Sequence, residues 1–349
     1  MIESWLDLNE QQAAGQAEVL GLPAYRGKQI WQWVHRRKAV SYDEMTDLPK
    51  SLRERLSKEC PLTVIQPVRR QQSAIDGTVK YLFSLGDGSL IESVLMQYKH
   101  GYTVCVSTQV GCRMGCAFCA STLNGLDRNM TPGEILGQIY RIEREEKVNV
   151  SHVVLMGCGE PLDNYGSVIR FLKLLHDPDG QGMSYRNMTL STCGLIEPLK
   201  RWILEDLPVT LAISLHAPND EIRRQMMPVA RSVSMGELLD VCREYTERSG
   251  KRITFEYALV RGVNDGEEHA AELVGKLQGL LCHVNLIPVN PVRERGLNSP
   301  EAAAVKRFAE ILEKHHIPVT LRRELGRDID GACGQLRRRI QETETEAVE

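Results

Sequence analysis

Six times from Gly101 onward a short apolar run gives way to a longer amphipathic one, and this alternation restricts the fold more than any other feature of the chain. The apolar runs VCVST, HVVLMG, MTLST, VTLAISLH, RITFEYALV and HVNLIPV are rich in β-branched residues and read as strands. Between them TPGEILGQIYRIEREE, NYGSVIRFLKLLHD, EPLKRWIL, SMGELLDVCREYTER and EEHAAELVGKLQGLL space their apolar residues as helices do. A helix, PEAAAVKRFAEILEKH, and a strand, IPVTLRR, close the series. Alternation of this kind calls for a parallel α/β sheet, open or barrel-like.

Residues 1–95 have another character, with helical pieces such as LPAYRGKQIWQWVHRR and DEMTDLPKSLRERLSKEC ahead of the strand-like runs KYLFSL and LIESVLM. At 349 residues the chain can bury a core that needs no disulfide staples. MIESWLDLNEQQAAGQ has neither the basic nor the apolar region of a signal peptide, and no apolar run reaches a membrane span, so a cytoplasmic location is expected. There, cysteines serve as metal ligands, reactive thiols or small core residues sooner than as disulfide partners. The 43 basic and 46 acidic residues leave a net charge of −3, so contact with nucleic acid must be a local patch.

GCRMGCAFCAST sets Cys112, Cys116 and Cys119 on one loop just after a strand, in Cys-x3-Cys-x2-Cys spacing. Soft thiolates select zinc, copper(I) or iron–sulfur clusters. A structural zinc site wants a fourth ligand, usually from a second pair, and none follows at comparable spacing. An all-cysteine cluster site also needs four. Three ligands leave one metal position open, which is what a catalytic metal needs to hold a substrate or cofactor.

The loop resembles that of the radical S-adenosylmethionine (SAM) enzymes. CVSTQVGC, TPGEILGQI, GCGEPLDNY, LSTCGL, AISLHAPND, YALVRGVND, NLIPVNP and DIDGACGQL, in this order, resemble the RlmN branch, adenine C2 methyltransferases of ribosomal and transfer RNA. The resemblance runs from about residue 23 to residue 336. It implies an α/β fold, a radical SAM partial (β/α)6 TIM-like barrel with a small, mainly helical N-terminal accessory domain. The expected division is an RNA-binding accessory domain with connecting strands over 1–95, the core and a C-terminal catalytic loop over 96–336, and a frayed basic-then-acidic tail over 337–349.

By the same resemblance Cys112, Cys116 and Cys119 hold one 4Fe-4S cluster per chain, and two molecules of SAM are consumed per methylation. Gly159 and Glu160 meet the SAM amino group; their glycine-rich stretch also lets a ligand approach the backbone. Cys158 stands where the family usually has methionine. Ser191, Ser214, Leu215, His216 and Asn290 line the ribose, carboxylate and adenine. All fall at C-terminal ends of expected strands, the face where barrel enzymes assemble their sites.

Cys333 matches the family's methyl-carrying cysteine and Cys105 the one that resolves a covalent adduct. Adenine C2 offers no nucleophile to a methyl cation, whereas a sulfur does. In the family mechanism one SAM methylates the cysteine, and a second yields a 5′-deoxyadenosyl radical that takes hydrogen from the S-methyl group. The carbon radical adds to C2, and the second cysteine releases methyladenosine, leaving a disulfide. Glu92 matches the proposed proton acceptor; it interrupts an apolar run, where a carboxylate is costly unless solvated or paired.

Implied partners are 23S ribosomal RNA, transfer RNA and an electron donor such as flavodoxin or ferredoxin, with no membrane, for a monomer. Residues 22–42 hold Arg26, Lys28, Arg36, Arg37 and Lys38 with Tyr25, Trp31 and Trp33 and no acid, which suits phosphates and unpaired bases. A second basic run is Arg337, Arg338 and Arg339. Two rivals stand beside this reading. One is the related branch that methylates C8 and tends to lack the proline found here as Pro161; the other is a non-catalytic iron–sulfur RNA-binding protein, which leaves Cys333 unexplained.

Overall fold

The computed structural model describes residues 4–62, 65–289, 296–323 and 325–329. It opens with three helices: α1 (Glu10–Val19), closed at its start by an Asn9–Gln12 capping box, α2 (Ala24–His35), and α3 (Lys50–Glu59), which begins directly after Pro49.

A ten-stranded sheet follows chain order except where a hairpin interrupts it. Its antiparallel part is β1 (Gln66–Gln72), β2 (Val79–Ser84) and β3 (Leu90–Tyr98), and β3 pairs antiparallel with β4 (Gly101–Cys105). After β4 the chain leaves the sheet for a separate hairpin, β5 (Gln109–Gly111) with β6 (Leu126–Asn129), which brackets the three-cysteine loop. It then enters α4 (Pro132–Glu146), whose Thr131–Glu134 capping box and leading proline define its start.

Parallel strands and helices follow in turn: β7 (Val150–Leu155), α5 (Tyr165–His176), β8 (Met188–Thr192), α6 (Ile196–Glu205), β9 (Thr210–Ser214), α7 (Asp220–Met226) and α8 (Met235–Ser249). The series ends with β10 (Ile253–Leu259), α9 (Glu267–Leu277), β11 (Cys282–Pro288), α10 (Ala302–Lys314) and β12 (Val319–Leu321). The six strands read from the alternation are thus β4 and β7 to β11, all parallel, with β12 added at the edge. The unit is a (β/α)6 partial barrel whose two edges, β1 on one side and β12 on the other, are unpaired among the described residues.

The N-terminal helices dock on α4. Asp7 Oδ1 accepts from Gly133 N at 2.6 Å, which caps the helix start. Buried His35 joins the Trp5 carbonyl at 3.1 Å to the Tyr140 hydroxyl at 3.3 Å. At the other end of the chain, the β1–β2 turn grips the segment after β12. Asp328 accepts from Ser73 Oγ at 2.5 Å and Ala74 N at 2.8 Å, while Asp76 accepts from Gly326 N at 2.8 Å. No helix among the described residues is long and apolar enough to cross a membrane.

Candidate active site

The parallel strands bury one face in the main core through Val104, Val153, Leu190, Ile213, Phe255 and Val284. Strand register assigns the alternate residues to the opposite, inner face: Cys105 on β4, Thr189 and Ser191 on β8, Ser214 on β9, Glu256 on β10, Asn285 on β11. Parallel strands covered on both faces are usually apolar throughout, so a polar second face marks the side left for a ligand. Ser191 Oγ and Ser214 Oγ stand 3.5 Å apart across β8 and β9. Glu256 accepts from Asn285 Nδ2 at 3.1 Å, and burial raises its pKa against the opposing pull of Arg322 and that hydrogen bond. The buried hydroxyl of Thr103, on β4, has no hydrogen-bond partner among the described residues.

Glu92 shares this face, because Val94, two residues along β3, opposes Cys105. The carboxylate is buried and paired: Lys80 Nζ on β2, fully buried, lies 2.9 Å from Glu92 Oε2. The apolar run therefore tolerates a charge by bringing its counter-charge from the neighbouring strand. Lys80, inside KYLFSL, was the sequence signal for this pair.

Glu160 is buried at the end of β7 and already makes three bonds. Oε1 accepts from Leu162 N at 3.0 Å and Thr192 Oγ1 at 2.6 Å, and Oε2 accepts from Cys193 N at 2.8 Å. It caps the 3-10 turn Pro161–Asn164 and ties the β7 end to the β8 end. Burial pushes its pKa up, and these hydrogen bonds pull against that rise.

The adjacent glycines serve a close backbone approach, but to the chain itself. At Gly157 a Cβ would fall 2.6 Å from the Val106 carbonyl oxygen; at Gly159 (φ 110°), 2.7 Å from Gln109 Cβ. The segment 106–109 fills the space that the sequence reading gave to a ligand. Gln109 then joins three parts of the site: Oε1 accepts from Glu160 N at 2.8 Å, and Nε2 donates to Asn129 at 2.8 Å and Asp163 at 3.0 Å. Asp163 also pairs with Arg113 of the cysteine loop. Nothing in the local sequence marks Gln109, Thr192 or Asp163, since their partners lie 20 to 54 residues away.

His216 is buried with a left-handed backbone (φ 57°) and packs edge-on against Phe118, between Cys116 and Cys119, at 4.7 Å. Its Nδ1 accepts from Ala258 N at 2.9 Å, so the proton sits on Nε2. Burial and the nearby Arg223 push its pKa down to about 3, which keeps the ring neutral. Leu215 buries its side chain in the core, and its N–H donates to the Glu256 carbonyl at 3.1 Å, leaving its carbonyl as the group it can offer a ligand.

Cys112 and Cys116 are buried and Cys119 half-buried. Burial pushes the Cys112 thiol up to about 12, with Cys119 adding to the rise, and Cys116 is raised further by burial and by both other thiols. Thiols that raise one another share one space, and they become thiolates there only beside a cation. That donor set fits an iron–sulfur cluster. Among the described residues no three His, Cys, Asp or Glu side chains converge on one ion; the thiolates of a four-iron cluster sit on separate irons and need no such convergence. Cys158 is buried beside this region, its N–H donating to Ser107 Oγ at 3.0 Å.

Asn290, Cys333 and Arg337, Arg338 and Arg339 lie outside the described residues. On α2, Trp31 is core, with Nε1 donating to the Leu8 carbonyl at 2.9 Å, and Lys28 pairs with Glu10; Lys38, just past the helix, pairs with Glu143. Tyr25, Arg36 and Arg37 remain exposed, with Arg37 stacked over Trp33 at 4.1 Å and Arg26 near Tyr25 at 5.0 Å.

A (β/α)6 sheet with a polar inner face and three thiols in the loop after its first parallel strand defines a radical SAM enzyme. Residues 106–274 match the radical SAM superfamily, and residues 4–62 match the ribosomal RNA large subunit methyltransferase N-terminal domain. A radical SAM methyltransferase from Sphaerobacter thermophilus superposes with a TM-score of 0.91 at 44% identity, over 95% of this chain and 98% of that one. A protein of Lachnospira eligens is 53% identical over 93% of this chain and 92% of its own length. One of Clostridium novyi is 48% identical over 97% and 95%. Both carry the name probable dual-specificity RNA methyltransferase RlmN. The chain belongs to the RlmN family of radical SAM methyltransferases.

Proposed function

We propose that this protein methylates C2 of a specific adenine in 23S ribosomal RNA, and of an adenine in transfer RNA, through an S-methylcysteine and a covalent RNA–protein adduct. The observation that carries this reading is Cys105, a thiol at the end of β4 on the polar face that also holds Glu92, just ahead of the three-cysteine loop. When bound, a 4Fe-4S cluster on Cys112, Cys116 and Cys119 with SAM at Gly159, Glu160, Ser191, Ser214, Leu215, His216 and Asn290 would supply a 5′-deoxyadenosyl radical.

The chain's own groups do the rest. Cys333 accepts the methyl group, and Glu92 takes the C2 proton. The Cys105 thiolate attacks the Cys333 sulfur of the adduct, the sulfur–carbon bond breaks with its electron pair passing to the RNA-bound carbon, which takes up a proton to become the methyl group, and a disulfide remains for an external two-electron reductant to reopen. The relatives' name supports both classes of RNA, and Pro161 supports C2 over C8. Exposed Arg36, Arg37 and Tyr25 suit RNA phosphates and a splayed base. A flavodoxin or ferredoxin supplies electrons to the monomer in the cytoplasm.

The test is Cys105→Ala, incubated anaerobically with SAM, reductant and labelled RNA. It should accumulate protein covalently joined to RNA on a denaturing gel, whereas Cys333→Ala and the double variant give neither adduct nor product. Normal turnover by Cys105→Ala would refute the two-thiol scheme. Mass spectrometric mapping of the wild-type product separates C2 from C8.

A further inference from the structure

Arg223, on α7, is fully buried and has no ion-pair partner among the described residues. Its Nη2 donates to the Cys193 carbonyl at 2.9 Å and its Nη1 to the Val233 carbonyl at 3.4 Å. Its Nε is buried without a hydrogen-bond partner among the described residues. A guanidinium cannot shed its proton to escape this environment, so the buried charge is a standing cost unless an anion compensates it.

The surroundings say where that anion lies. Three residues further along, the Met226 carbonyl accepts from Ala117 N of the cysteine loop at 2.8 Å. Cys116, Cys193, Met226 and Met227 pack in one small cluster. Cys193, whose carbonyl holds the guanidinium, donates its own N–H to Glu160. Burial lowers the Arg223 pKa, and the charges of Cys193, Asp220 and Cys116 oppose that fall. The guanidinium therefore sits behind the cysteine loop, on the element hydrogen-bonded to it.

We propose that Arg223 is the fixed counter-charge of the iron–sulfur cluster and sets its reduction potential. This rests on the reading that Cys112, Cys116 and Cys119 hold a 4Fe-4S cluster. Such a cluster with three thiolates carries a net charge of about −1 oxidised and about −2 after one electron arrives from a low-potential one-electron carrier. A positive charge fixed nearby stabilises the reduced form more than the oxidised one, and no proton has to move with the electron. Arg223 is a tuning residue, touching neither substrate nor SAM in this scheme.

The experiment is an anaerobic redox titration, followed by electron paramagnetic resonance, on cluster-loaded full-length protein without SAM. Arg223→Gln keeps a donor but no charge, and its potential should fall. At the wild-type midpoint its reduced-to-oxidised ratio should drop about tenfold, equivalent to about 59 mV for a one-electron couple. Arg223→Lys keeps the charge and should stay near wild type. Asp220→Asn retains an acceptor for Met235 N while removing the acid charge that reaches Arg223, and should move the potential the opposite way. It decides the matter should the Gln variant fail to fold.

A Gln variant with full iron and sulfide and an unchanged potential, a Lys variant displaced as far as Gln, or an Asp220→Asn variant without a positive shift would each overturn the proposal. Wild-type protein that takes up no iron and sulfide at all would instead remove the cluster assignment, and this proposal with it.

Discussion

Replacing Lys80 by Met should be among the most destabilising single changes in the sheet. Lys80 is fully buried and Glu92 nearly so, with nitrogen and oxygen 2.9 Å apart. At an effective dielectric of about 20, that separation corresponds to roughly 6 kcal/mol of attraction. Most of it offsets the cost of taking both charges out of water. Removing the lysine leaves that cost on Glu92 without the attraction, and breaking a buried pair from one side costs about 3 to 5 kcal/mol. Lys80→Met should therefore lose about that much in urea denaturation followed by tryptophan fluorescence. Replacing both partners, Lys80→Met with Glu92→Leu, removes both desolvation costs and should sit within about 1 kcal/mol of wild type. The double-mutant cycle should show strong coupling. A Lys80→Met variant less than about 1 kcal/mol below wild type, or a double variant whose loss equals the sum of the singles, would refute the account of how Glu92 is kept buried.

Thr192→Val removes the 2.6 Å bond to Glu160 and should cost about 1.5 to 3 kcal/mol, with weaker SAM binding by calorimetry, because a buried carboxylate loses a donor. Gly159→Ala should cost several kcal/mol or yield insoluble protein, since the new Cβ meets Gln109 at 2.7 Å on a backbone with φ 110°; a soluble variant of wild-type stability would contradict this contact. His35, buried and neutral, has its pKa lowered to about 4 by desolvation. The unfolded chain binds the proton near pH 6.5 and the folded chain does not. The contribution is therefore complete above that pH and is lost by about 1.4 kcal/mol per unit as pH falls toward 4. Thermal melts from pH 7 to 4 should fall less steeply for His35→Asn, and equal slopes would assign the acid sensitivity elsewhere.

The parallel half of the sheet was legible because each strand carries a short apolar run rich in β-branched residues and each helix an apolar stripe. The hairpin around the cysteine loop was not, since β5 and β6 span three and four residues, too short to set a period. Strand β1 escaped for a different reason: QPVRRQQ is polar because it lies at the sheet edge with most of its side chains in water. The piece DEMTDLPKSLRERLSKEC reads as one unit but becomes a 3-10 turn and then a helix, divided at Pro49. Within the site, the three-cysteine loop and the strand-end residues carry local signatures. Gln109, Thr192 and Arg223 do not, because each acquires its role from a partner on another element. Even Gly159, singled out for a ligand, answers to Gln109, 50 positions back in the chain.

The grip of the β1–β2 turn on Asp328 bears on how the chain is made. Its two ends are separated by 255 residues, so at ribosomal speeds of about 5 to 20 residues per second the turn waits roughly 10 to 50 s for its partner to emerge. Through that interval β1 is the exposed end of a nascent sheet. Pro67, Arg69 and Arg70 give it the features that discourage pairing with a neighbouring chain. The arginines and the proline that hide this strand from pattern reading are thus what lets it be synthesised first and secured last.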